Sequence, residues 1–225
     1  FEGFIHQDEF VEEGPLGEWT GYYAGGERPQ PAIRIETFMH RDNPILLGVI
    51  PAVPPNDNTY YLGSYRSGAV WNQLDAAGIP DVQGVCAHEA GGSRMWLTVS
   101  IKQRYGGHSK QAGLVASQCY AGAYANRWVI VVDDDIEVAN LEELMWGALM
   151  RCDPVEDVDF IKVGWASMAD PRISPEDRAQ GNISNSRMII NACRPFHWRE
   201  KFNKTTKPSD DLLELARKKF SHLLE

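Results

Sequence analysis

The apolar positions of this chain follow two rhythms that meet near residue 64. Before it, "AIRIETFMH" (32–40) alternates apolar and polar with period two, as a half-buried strand does. The opening "FEGFI" reads as a strand already under way, and "PILLGVI" (44–50) as a short strand bounded by proline. Turn-rich pieces, "GGERPQP" and "PAVPPNDN", lie between and after them. Beyond it, "RSGAVWNQLDAAG" has helical spacing through Val70 and Leu74 and a stop at Gly78. Apolar strands then alternate with helices: "VQGVCAH", "MWLTVSI", the helix "HSKQAGLVASQCYAGAY", "RWVIVVDDD", the helix "NLEELMWGALMR" capped by Asn140, and "DFIKVGW".

This alternation predicts an α/β layer with a buried, largely parallel sheet, so the chain as a whole reads as α/β, or α+β once the opening strands are counted. Three segments follow: β-rich residues 1–63, the α/β layer over 64–168, and an extended polar arm from 169 that ends in an amphipathic helix at 225. Residues 168–208 are polar and proline-spotted, as in a lid or a wrapping arm. Arg172, Arg178, Arg187, Arg194 and Arg199 gather there and fit salt bridges to the body or to another subunit. The last helix has Ser209 as N-cap and an apolar stripe of Leu212, Leu213, Leu215, Ala216, Phe220, Leu223 and Leu224.

Composition narrows the function classes. Of 225 residues, 43% are hydrophobic and 24% charged, which is ordinary for a globular chain. The net charge of -9 argues against a broad grip on nucleic acid. No apolar run approaches the ~20 residues that span a bilayer. Cys86, Cys119, Cys152 and Cys193 show no CxxC spacing, so reduced thiols in a cytoplasm are expected rather than zinc or disulfides.

Three stretches could carry chemistry. In "EEGPLGEWTGYY" (12–23), Glu13 and Glu18 are five apart and would face opposite sides of a regular strand. Gly14, Pro15 and Gly17 break that regularity and let the two carboxylates converge, which would push one towards holding a proton for transfer. A solvated acidic turn satisfies the same spacing. In "YGGHSKQAG" (105–113), a Gly-rich helix start with His108 and Lys110 resembles an anion site without matching a P-loop; a plain turn is the alternative. In "VVDDDIEV", Asp133, Asp134 and Asp135 end a buried strand, where they could ligate a hard cation, as in a nucleotide-sugar transferase, or cap the turn and pair with bases. The histidines at 6, 40, 88, 197 and 222 have no ligand-like spacing.

Taken together, these stretches resemble the UbiD-type decarboxylases, which use prenylated flavin mononucleotide. "EGPLGEWTGYY" is similar to that family's E-G-P-[FL]-G-[ED]-x-x-G-Y-Y signature. "TVSIKQRYGGHSKQAG" and "WVIVVDDDIEVANLEELMWGALMRCDP" match two later segments in order and approximate spacing. The resemblance implies reversible decarboxylation of an aromatic, heteroaromatic or α,β-unsaturated acid through an adduct with the flavin. It implies that Glu18 delivers a proton to the carbon losing CO2, and that Glu13 bonds an arginine and poises the flavin. Lys110, with His108, would hold the cofactor phosphate. It also implies that residues 1–63 end a flavin-binding β-barrel and that 64–168 form an oligomerising domain.

Family members are about twice this length. By the resemblance, the part preceding Phe1 supplies the catalytic arginine, most of the flavin cradle and the ligands of a divalent metal, usually manganese, with potassium in some members. The chain would then be inactive without a companion half or subunit, within a homo- or hetero-oligomer. A non-catalytic assembly subunit of such a complex is the other reading. Trp165 and Met168 fit the wall of a flat aromatic pocket or, equally, a core. The acid itself and the net direction of reaction are not encoded.

Overall fold

A computed structural model describes residues 1–223; Leu224, placed above in the terminal apolar stripe, lies outside them. The chain divides into two units, Phe1–Cys193 and Arg194–Glu225.

In the first unit, strands β1 (Glu2–Glu13) and β2 (Arg28–Thr37) form an antiparallel ribbon with Glu13 opposite Arg28. Its apolar side chains are largely exposed, among them Phe4, Ile5, Phe10, Ile33 and Ile35. "PILLGVI" is not a strand: residues 44–50 have no regular structure, and Ile45, Leu46, Leu47 and Ile50 are exposed. An apolar run becomes a strand only where a neighbour takes its backbone hydrogen bonds, and among the described residues none does so here.

Helix α1 (Asp57–Ala76) starts earlier than its periodicity shows, because Asn56 and Thr59 form a reciprocal capping box. Then follow β3 (Val82–Ala87), β4 (Trp96–Ile101), α2 (His108–Gln118), the single turn α3 (Tyr120–Ala123), β5 (Trp128–Asp133), α4 (Leu141–Arg151), β6 (Val158–Trp165), α5 (Pro175–Gln180) and β7 (Ser184–Ala192). The sheet order is β3-β4-β5-β7-β6, with β4, β5 and β7 parallel and the two outer pairings antiparallel. Parallel strands need both faces covered. Helices α1 and α2 cover one face, over Val99, Val129, Val131 and Ile189; α4 covers the other, over Ile130 and Val132. Asn140 caps α4 by accepting from the Glu143 N–H, with Glu142 and Glu143 in its first turn, as its sequence required.

The polar arm needs correction, since its middle is β7, a strand inside the sheet. Arg187 interrupts the apolar pattern there yet is buried, donating to the carbonyls of Ser117, Ala123 and Trp165. Arg178 likewise donates to the carbonyls of Ala24 and Asp170 instead of forming the expected salt bridge. No disulfide joins the four cysteines, and no helix of the described residues is long and apolar enough to cross a membrane.

In the second unit, Ser209 caps α6 (Asp210–Lys219) by accepting from the Leu212 N–H, with acids in the first turn and bases in the last. Its leucines are exposed.

Candidate active site

Strand β1 ends at Glu13, and the next four residues bend the chain. Gly14 has φ +107, a conformation side chains rarely adopt, and a Cβ there would come within 3.2 Å of the Gly26 carbonyl. Gly17 pairs with Tyr23, and a turn closes behind it: the Glu18 N–H donates to the Tyr22 carbonyl at 3.0 Å and the Gly21 N–H to the Glu18 carbonyl at 2.9 Å. The bend places Glu13 and Glu18 on one recess of about 100 Å³, with Gly14, Gly25, Gly26 and Arg28 around it. Glu13 is exposed and Glu18 half-buried.

Trp19 anchors this bend. Its indole is buried with Ala125 and Ala169, Arg94 stacks on it with the guanidinium carbon 4.6 Å from the ring centre, and it lies against Gly92. A Cβ at Gly92 would meet the indole at 2.6 Å.

Next to the bend lies a cleft of about 480 Å³, walled by Tyr65, Tyr120, Tyr124 and Trp165 and containing Arg66 and Arg94. Trp165 thus faces a pocket, in keeping with one of its two sequence readings, whereas Met168 is not among the lining residues. Arg66 donates to the carbonyls of Gly122 and Tyr124 at 3.2 and 2.7 Å, and burial first, then Arg94, bring its pKa down to about 10. Burial also lowers Arg94, against the opposing pull of Tyr124 and Glu18.

His88 is buried on the α4 face of the sheet, its ring 4.4 Å from that of Trp96 and its Nε2 3.0 Å from Thr98 Oγ1. Burial pushes its pKa down to about 4.

The second stretch does not join this group. Lys110 is exposed and its Nζ lies 2.9 Å from Asp159 Oδ1. His108 is fully buried against Tyr105, its Nδ1 accepting from the Arg104 N–H at 3.3 Å; burial lowers its pKa. Both follow the carboxyl end of β4, whereas Gly92 and Arg94 precede its amino end.

The aspartates are also occupied. Arg151, almost wholly buried, reaches Asp133 at 3.3 Å and grips Asp135 through two bonds of 2.8 Å. This is the capping-and-pairing reading, and it removes the transferase. Among the described residues no three His, Cys, Asp or Glu side chains are grouped to hold a metal ion.

The residues at the bend fit one edge of a flavin: glycines leave the recess open, and two carboxylates and a guanidinium rim it. Arg66 and Arg94 carry no motif. The one signal for Arg66 is its place in the row Leu62, Arg66, Val70, Leu74, where every fourth residue turns inward.

Residues 59–192 match the model of the 3-octaprenyl-4-hydroxybenzoate carboxy-lyase C-terminal domain, and residues 1–54 match the Rift-related domain of the same enzyme. A phenolic acid decarboxylase of Streptomyces sp. is 33% identical over 215 residues, which is 96% of this chain and 43% of that protein. A pyrrole-2-carboxylic acid decarboxylase of Pseudomonas aeruginosa is 31% identical over 202 residues, 86% of this chain and 40% of that one. Among solved structures, the UbiD-class enzyme HmfF of Pelotomaculum thermopropionicum in complex with FMN superposes with TM-score 0.78 at 27% identity, covering 95% of this chain and 45% of that one. The vanillic acid decarboxylase of Sedimentibacter hydroxybenzoicus, in open form, gives 0.76 at 28%, over 99% and 46%. The chain therefore spans less than half the length of these relatives. With both of its parts matched in order, the chain belongs to the UbiD family of carboxy-lyases.

Proposed function

We propose that this chain supplies Glu13 and Glu18 to a reversible, non-oxidative decarboxylation of an aromatic, heteroaromatic or α,β-unsaturated carboxylic acid that uses prenylated FMN. The observation that carries the reading is the shared recess: a glycine-lined bend turns two glutamates, from positions that a strand would oppose, to one open space. Related structures holding FMN or prenylated FMN support a flavin there. When bound, the flavin supplies a covalent electron sink for the carbon that loses CO2.

Glu18 delivers a proton to that carbon, so that the carboxylate leaves as CO2 and a C–H bond takes its place. Its backbone is held on both sides by the Tyr22 and Gly21 bonds and by the buried Trp19, so the carboxyl has a fixed base from which to reach. Glu13 orients the cofactor edge from the other side, with Arg28 opposite it in the ladder.

Residues 1–63 are assigned to the end of a flavin-binding barrel whose other part is a companion segment. That segment would cover the exposed apolar rows of β1 and β2 and residues 45–50, and supply the arginine and any divalent metal. The exposed leucines of α6 suit contact between subunits.

Native mass spectrometry of the purified protein tests the assembly. A second polypeptide and a mass matching prenylated FMN are expected; bare 25.2 kDa chains would remove the catalytic assignment for this material.

A further inference from the structure

The two faces of the five-stranded sheet are covered unequally. Helices α1 and α2 share one face, whereas α4 alone lies on the other, over Ile130 and Val132. One row nearer the amino end, the register aligns Trp96 with Trp128, Trp128 with Met188 and Met188 with Phe160. Side chains alternate along a strand, so Trp128 and Met188, two residues before Ile130 and Ile190, point to the α4 side. Phe160, directly opposite Met188, shares that side, while its neighbour Ile161 packs into the other face. Four large apolar side chains thus cross four neighbouring strands in a line. Trp96 and Trp128 meet edge-on with ring centres 6.2 Å apart, and Phe160 is 70% exposed.

Helix α4 sets a second apolar surface beside this row. Inward it buries Leu144, Gly147, Ala148 and Arg151. Outward it presents Leu141, Trp146, Leu149 and Met150, with Leu149 at 70% exposure. From Leu144 to Met150 it carries no charged side chain. A helix apolar on every side belongs in an interior, and parallel strands ordinarily have both faces covered. With Trp128 and Phe160, those four outward side chains expose on the order of 800 Å², about the share of one partner in an interface of standard size.

The shapes indicate what fits. A ridge, the outer side of α4, stands next to a flat and part-exposed row. A second copy turned about a two-fold axis brings its ridge onto this row and offers its own row to this ridge, as an isologous contact requires. The lack of charge on α4 between Leu144 and Met150 also suits two copies that each carry a net charge of -9. We propose that two copies of this chain pair through this face, α4 of each lying on the Trp96–Trp128–Met188–Phe160 row of the other. The pairing is a matter of assembly and stands whatever Glu13 and Glu18 do.

Analytical ultracentrifugation of the purified protein at micromolar concentration tests it, and a mass of twice 25.2 kDa is expected. Leu149→Glu and Phe160→Glu, both at exposed positions, should each weaken the dimer at least tenfold with unchanged circular dichroism and melting temperature. Leu215→Glu, on the exposed side of α6, should leave it unaltered. A mixture of Leu149→Cys and Phe160→Cys chains should cross-link on oxidation far faster than either variant alone. Monomers at that concentration, or a dimer that survives both glutamates, would overturn the proposal. Dissociation by Leu215→Glu but not by Leu149→Glu would move the contact to α6. A complex with a different polypeptide that Leu149→Glu releases would make that polypeptide the occupant and overturn the pairing of copies. A dimer without flavin keeps this pairing and removes the catalytic reading; flavin-bound monomers do the reverse.

Discussion

The two ends of the parallel strands treat their charges differently. Beyond the carboxyl ends, where ligands of open α/β sheets ordinarily gather, Asp133 and Asp135 are held by Arg151. Beyond the amino ends, Arg66, Arg94 and Arg187 rest on carbonyls, and two glutamates face an open recess. The carboxyl-end acids are closed internally; at the amino end Arg127 is paired with Asp170, whereas these three arginines have no acid partner among the described residues. Charge closure, more than strand polarity, separates structural clusters from candidate binding groups in this chain.

The contrast can be broken most directly at Glu18. In the assembled enzyme Glu18→Gln should lower turnover by roughly 10²- to 10⁴-fold, the usual scale for a general acid, with the fold unchanged by circular dichroism. Turnover within a factor of two of wild type would put the amino end on the same structural footing as the other.

At the carboxyl end the prediction is opposite in kind. Arg151→Met leaves two carboxylates around a buried gap, and the cost should be about 3–5 kcal/mol in urea unfolding. A variant as stable as wild type would mean the aspartates are free to take a cation.

His88, buried against Trp96 and Thr98, adds a test through pH. Its folded pKa of about 4 lies below the ordinary 6.5, so the unfolded chain binds the proton first as pH falls. Its contribution is full above pH 6.5 and is lost progressively towards pH 4, by up to about 3 kcal/mol. Because paired carboxylates titrate in the same range, the quantity to measure is the difference between wild type and His88→Gln. Parallel stability curves from pH 7 to 4 would contradict it.

The smallest effect belongs to Lys110. Its pair with Asp159 is exposed, so Lys110→Ala should cost under about 1 kcal/mol. Loss of bound flavin in that variant would support the phosphate-binding role implied by the family resemblance.

Much of this was legible beforehand, and the failures have physical causes. The near-continuous apolar run at 128–133, the caps Asn140 and Ser209 and the Gly-Pro bend announce themselves because local sequence suffices to form them. Strand β7 was hidden because Arg187 sits in its middle, and only carbonyls 22 to 70 residues away make that burial possible. The run at 44–50 misled for the complementary reason: apolarity states a need for cover without saying what provides it. The arginine cleft assembles from α1, the turn before β4, α3 and the end of β6, and no single stretch of sequence contains it.

Trp19 gives the bend a mechanical character. Its ring is seated against Gly92 so closely that no side chain fits between them. Glu18 is thus riveted to the α/β layer, while Glu13 belongs to the ribbon. If the ribbon swings, the two carboxylates part company, and the pivot must fall in the four residues between them. The pair would then act as a gauge of closure, meeting only when the ribbon is seated; a cross-link between cysteines placed at 13 and 18 that forms equally in every state would refute this.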